Sequence, residues 1–184
     1  MRKILLLLTS MIMALGMAAC GNSDSGEEEL NTPEAAVIGL LDGIKALDQT
    51  KINEYVTEDD IMYSTNIGES TDVAVFENLT YNVESVHTNE DRAVVTVEIA
   101  NVNMTAVFQT YLENVMSSGE DVHTMTEEDA MEKLKEAIEQ NKDNKISRTM
   151  DLSVTQVDGQ WKVTTTEDFL SIISGGMADE MAFE

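Results

Sequence analysis

The run Ala93-Val94-Val95-Thr96-Val97-Glu98-Ile99-Ala100-Asn101-Val102-Asn103 places Val95, Val97 and Ile99 on one side and Thr96 and Glu98 on the other. A period of two in a segment rich in β-branched residues predicts a strand with one buried face. Just upstream, residues 88–91 are a polar turn. Residues 79–87 form a second strand, with Leu79, Tyr81 and Val83 on one side and Val86 out of step. The two strands make an antiparallel hairpin. Downstream, the period changes to helical at Met104, with Val107, Phe108, Tyr111, Leu112, Val115 and Met116 on one stripe, and Ser117-Ser118-Gly119 ends the helix.

Further along the chain, Thr126-Glu127-Glu128-Asp129 resembles a capping box with Asp in place of Glu. Its helix carries Met131, Leu134, Ala137 and Ile138 and runs to about Asn141. Met150, Leu152 and Val154 then alternate with polar residues up to Asp158-Gly159, a strong two-residue turn signal, and Trp161 and Val163 continue the second hairpin. Thr166-Glu167-Asp168 opens a last helix with Phe169, Leu170, Ile172 and Ile173, which Gly175-Gly176 stops. Toward the N-terminus, Thr32-Pro33-Glu34 is a helix start, followed by Val37, Leu40, Leu41, Ile44 and Leu47 on one face. Asp48 or Thr50 caps a short second helix with Ile52, Tyr55 and Val56, antiparallel to the first. Ile61, Met62 and Tyr63 are expected to form a short strand.

The fold class expected is therefore α+β. An N-terminal helix pair packs on a curved antiparallel sheet of at least four strands, with a helical insertion and a C-terminal helix. The chain has 184 residues, enough for one modest domain. Its 35 acidic residues against 11 Lys and Arg give a formal charge of −24, which argues against nucleic acid as a partner. The single cysteine excludes an internal disulfide and a four-cysteine zinc site.

Arg2-Lys3 followed by the apolar residues 4–19 makes a secretory signal, shorter than the roughly 20 residues needed to span a bilayer. It ends in Met17-Ala18-Ala19-Cys20-Gly21, which resembles the lipobox of bacterial lipoproteins. That resemblance implies a signal peptide over 1–19, a diacylglycerol on the Cys20 sulfur and cleavage just before it. The implied location is the extracytoplasmic face of the cell membrane, with the bilayer as a partner through acylated Cys20. Residues 20–31, with Glu27-Glu28-Glu29, read as an acidic flexible tether. An acidic domain on such a tether stands off anionic lipid.

Thr32-Pro33-Glu34-Ala35-Ala36, the junction Val97-Glu98-Ile99-Ala100-Asn101-Val102-Asn103-Met104 and the stretch Val157-Asp158-Gly159-Gln160-Trp161-Lys162-Val163 look like the nuclear transport factor 2-like superfamily. They resemble, more closely, small Gram-positive lipoproteins of unknown function that carry such a domain. The resemblance covers residues 32–176, with 177–184 as a C-terminal tail. The helix pair at 104–141 and the final helix depart from the superfamily's usual order, so its conical pocket is either open or filled by these helices. The resemblance also implies a candidate set for pocket chemistry: Tyr55, Tyr63, Tyr81, Tyr111, His87 and His123. The residues themselves suggest otherwise. His87 borders a turn, His123 lies in a polar loop, and Tyr81 and Tyr111 fall on apolar stripes.

Neither Glu58-Asp59-Asp60 nor Glu127-Glu128-Asp129 has the spaced ligands and turn glycine of a calcium loop, so no metal or cofactor is expected. There is no P-loop, G-x-G-x-x-G, H-E-x-x-H or G-x-S-x-G motif. If a pocket exists, Trp161, Tyr81, Val97 and Phe108 are its expected wall. Of the twelve methionines, Met177 and Met181 are expected to be exposed, and most others to fill gaps in the core. The expected function is a non-catalytic binding or interaction module for a small hydrophobic ligand, a peptide or an envelope protein. The alternative is a pocket enzyme, isomerase- or dehydratase-like, using an acid and a tyrosine in the cone. Homodimerisation through the curved sheet is a further expectation.

Overall fold

Four antiparallel strands in the order β1-β2-β3-β4 form the framework of the computed structural model, which describes residues 31–65, 73–119 and 125–177. They are β1 (Thr80–Asn89), β2 (Arg92–Val102), β3 (Lys145–Val157) and β4 (Gln160–Thr164). Val83 lies opposite Val97, Val97 opposite Met150, and Val154 opposite Val163, so the apolar sides of all four strands coincide. The register shifts between Val83 and Ser85. That bulge brings Val86 opposite Val95, on the inward face, and accounts for its being out of step in the sequence. Asp158 (φ 51°) and Gly159 (φ 84°) both adopt the left-handed conformation that a tight two-residue hairpin turn requires.

Seven helices complete the described residues: α1 (Pro33–Ala46), α2 (Gln49–Tyr55), α3 (Ile61–Ser64), α4 (Val73–Glu77), α5 (Met104–Ser118), α6 (Glu127–Asn141) and α7 (Glu167–Ile173). α1 begins as its sequence predicts, with the Thr32 hydroxyl accepting from the Ala35 N–H at 3.1 Å. The expected strand at 61–63 is instead the helical turn α3. The Asp60 carboxylate accepts from the Met62 N–H at 2.9 Å, Met62 is buried and Ile61 projects outward. Three apolar residues in a row carry no period, so the local cap decides their conformation.

One face of the sheet is filled by helices. Val37, Leu40, Leu41 and Ile44 of α1 and Phe169 and Ile172 of α7 share a core with Val95, Val97, Ile99, Leu152 and Val154, each no more than 2% exposed. Full burial of such side chains contributes about 1.5–3 kcal/mol each. The helices at 104–141 are not what fills this space. α5 and α6 pack on each other around a separate small core of Val75, Val102, Met104, Val107, Ala137 and Ile138. The expected α5 stripe is split accordingly: Val107 and Val115 are buried, while Phe108, Leu112 and Met116 are exposed. Met177, expected to be exposed, is half-buried against the small core.

At the exit of α7, Gly175 (φ 68°) lies so close to β2 that a Cβ there would sit 2.3 Å from the Val102 carbonyl oxygen. Beside it, Asn101 is fully buried. Its amide donates to the Ile173 carbonyl at 2.6 Å and its oxygen accepts from the Val102 N–H at 2.8 Å. α7 is thereby pinned to the last turn of the strand ladder.

Candidate functional site

A cleft of about 350 Å³ opens where α1 begins, α2 ends and β4 begins, lined by Asn31, Thr32, Ala36, Glu54, Tyr55, Gln160 and Trp161. Each wall has a local cause. Thr32 is held there as the cap of α1. Trp161 is the first inward-facing residue after the Asp158-Gly159 turn, and only 9% of it is exposed. Tyr55 ends α2 with its ring seated on Gly39, where a Cβ would stand 2.2 Å from the ring. The backbone of α1 is therefore bare where the tyrosine lies. The Asn31 amide donates to the Gly159 carbonyl at 2.7 Å and fastens the entry of the chain to the β3–β4 turn. Lys162 donates to the Glu54 carbonyl, holding the end of α2 beside the strand. Two aromatic side chains with a carboxylate and amides on the rim suit a ligand with a flat apolar face and polar edges.

The sequence's candidates divide as follows. Trp161 and Tyr55 meet at this cleft. Tyr81 and Val97 belong to the main core, and Val97 has no exposure with which to line a pocket. Phe108 is 41% exposed on α5 and belongs to neither core, so the four expected wall residues do not surround one cavity. The Tyr81 hydroxyl donates to Asp42 Oδ1 at 2.5 Å. Burial, followed by the hydrogen bond and negative charge of Asp42, pushes the phenol well above its ordinary range. It is a donor that keeps its proton and is not poised as a base. Tyr111 donates to the Met125 sulfur at 3.9 Å, and Tyr63 is half-buried beside α2. His87 is exposed at the end of the first hairpin. His123, Met181, Cys20 and the signal segment lie outside the described residues, as does the tether up to residue 30.

Both acidic clusters do local structural work. Asp60 caps α3 and also accepts from the Thr165 N–H at 2.9 Å and the Thr165 hydroxyl at 2.6 Å, clasping the β4–α7 connection. Asp129 completes the capping box with Thr126, whose hydrogen bonds hold its carboxyl below the usual carboxylate range. The Thr57 hydroxyl lowers Asp59 in the same way. Among the described residues no three His, Cys, Asp or Glu side chains gather as metal ligands, and no helix is long and apolar enough to cross a membrane.

Comparison with known proteins returns no matching family model, curated protein or solved structure. Asp42, Asn31 and Glu54 were not among the sequence candidates. Asp42 lies beside the exposed Lys45 and Ala46, away from Leu40 and Ile44, so the sequence reads it as a solvent-facing acid and only the fold brings Tyr81 to it. Asn31 and Glu54 carry no signal either, because only the turn of the chain brings them to the cleft.

Proposed function

We propose that this protein is a lipid-anchored extracytoplasmic binding module, tethered through acylated Cys20, and that the Trp161–Tyr55 cleft receives its ligand. The cleft carries the reading: it pairs two aromatic residues, Trp161 and Tyr55, with a polar rim. The location rests on the resemblance of Met17-Ala18-Ala19-Cys20-Gly21 to a lipobox. A ligand with one apolar face fits best, either a small amphipathic molecule or the side chain of a peptide. Face-to-face pairing of two sheets fits less well, because it would take the exposed charged side chains of Arg92, Glu98 and Asp151 out of water.

An enzymatic reading starts from Asp42 and Tyr81, the acid and tyrosine that meet. Their contact joins α1 to β1, and the tyrosine's proton is held rather than made available, so a binding role is preferred.

Two measurements test the proposal. Replacing Cys20 by Ala should release the protein from the membrane or leave unprocessed precursor; unchanged retention of a processed form overturns the anchor. Trp161 is the single tryptophan, so its fluorescence reports on the cleft directly. Saturable quenching or shift with amphipathic ligands or envelope peptides, abolished by Tyr55→Ala, is expected. A flat response across such a panel overturns the assignment of the cleft.

A further inference from the structure

On the opposite face of the sheet, at the same end, lies a second depression of about 360 Å³, lined by His87, Asn89, Arg92, Ala93, Val94, Ser153, Val154 and Thr155. The strand register explains its composition. His87, Val94 and Ser153 stand abreast on β1, β2 and β3, and Asn89, Arg92 and Thr155 form the next outward row. Neighbouring strands are about 4.8 Å apart, and successive outward residues on a strand are about 7 Å apart. One imidazole, one guanidinium, two hydroxyls and one carboxamide therefore ring a patch about 10 Å across, with Val94 as its apolar floor.

Three observations single this patch out. The chain has 35 acidic residues against 11 basic ones, yet no carboxylate lines the depression. Arg92 and His87 make no side-chain hydrogen bond or ion pair among the described residues, so their donors are uncommitted. None of the nearby acids is among the lining residues. Asp151 accepts from Thr96 at 2.7 Å one row away, and Glu90 and Asp91 occupy the hairpin turn. A guanidinium presents paired N–H groups that match two oxygens of an oxyanion, and hydroxyl and amide donors complete such a shell.

We propose that His87, Asn89, Arg92, Ser153 and Thr155 form a binding site for a phosphate group. Arg92 grips two of its oxygens, and His87 with the two hydroxyls contacts the others. The phosphate has two possible sources, a free phosphate or the phosphodiester of a lipid headgroup. Both present at least two charged non-bridging oxygens for a guanidinium to grip. The site lies at the sheet end where Asn31 is fastened to Gly159, so the chain leading from Cys20 joins the domain nearby. The phosphate site does not depend on the aromatic cleft: loss of either leaves the other standing.

The test is an NMR titration of the full-length chain in detergent micelles, following the Arg92 side-chain N–H and the His87 ring protons. One arm uses inorganic phosphate and the other glycerophosphoglycerol, each against sodium chloride at matched ionic strength. Saturable shifts at both residues are expected. Tighter binding of inorganic phosphate assigns a free phosphate, and tighter binding of the diester assigns a headgroup. Arg92→Ala should weaken binding at least tenfold, whereas Lys135→Ala on α6 should leave it unchanged. Amide shifts of β2 verify that the variant is folded. Shifts no larger than those produced by chloride, or undiminished binding by folded Arg92→Ala, overturn the proposal.

Discussion

The hydroxyl of Tyr81 on β1 donates to the carboxylate of Asp42 on α1 at 2.5 Å, joining the first helix to the first strand. A hydrogen bond to a charged acceptor contributes about 1.5–3 kcal/mol. Tyr81→Phe should lower unfolding stability by about 1–2 kcal/mol in urea, and a double-mutant cycle with Asp42→Asn should show the pair to be coupled. Because the phenol's pKa is raised on folding, the unfolded chain ionises first. Stability from this group is present below about pH 10 and falls as pH rises above it. Phenolate absorbance should show one late-titrating tyrosine, which Tyr81→Phe removes.

The ring of Tyr55 occupies the space that a side chain on Gly39 would need. Gly39→Ala should therefore cost about 1–3 kcal/mol, despite alanine's better helix propensity. In a Tyr55→Ala background the same substitution should cost much less. Equal costs in both backgrounds, measured by thermal or urea unfolding, would show that the ring does not pack there.

Asn101 is the buried polar link between β2 and α7. Asn101→Ala leaves the Ile173 carbonyl and Val102 N–H without their side-chain partner, a loss of about 1–3 kcal/mol. Hydrogen exchange should locate the effect: faster exchange in α7 and at Val102, with the β1–β2 hairpin little changed.

Thr126 and Asp129 satisfy each other's backbone at the start of α6. Thr126→Ala should speed amide exchange in the first turn by roughly five- to tenfold. The lowered pKa of Asp129 means that its contribution is present above the ordinary carboxylate range and is lost as pH falls through the lowered value. The start of α6 should fray only as pH falls below the ordinary carboxylate range, read from exchange of its first-turn amides.

Elements with an uninterrupted period were legible in the chain, and so were their caps. The alternation of β2 placed Val95, Val97 and Ile99 inward, and the Asp158-Gly159 pair marked the turn between β3 and β4. Thr32, Thr126 and Thr166 each cap the helix they precede. Legibility ended where spacing admitted two partners. On α5 the six apolar residues of the stripe span too wide an arc for one neighbour, and only packing against α6 shows that Phe108, Leu112 and Met116 are left outside. The 61–63 segment was too short to carry a period.

Local chemistry acts over three or four residues, so the order of the four strands and the longer helices, and the caps that start those helices, follow from sequence alone, whereas the short helices α3 and α4 do not. Joining residues far apart in the chain needs the folded sheet. Asn31 meets Gly159, Tyr55 rests on Gly39 beside Trp161, and His87, Arg92 and Ser153 come abreast because strand register converts long separations into neighbours a few ångströms apart. Both clefts are consequences of that register, which no single segment encodes.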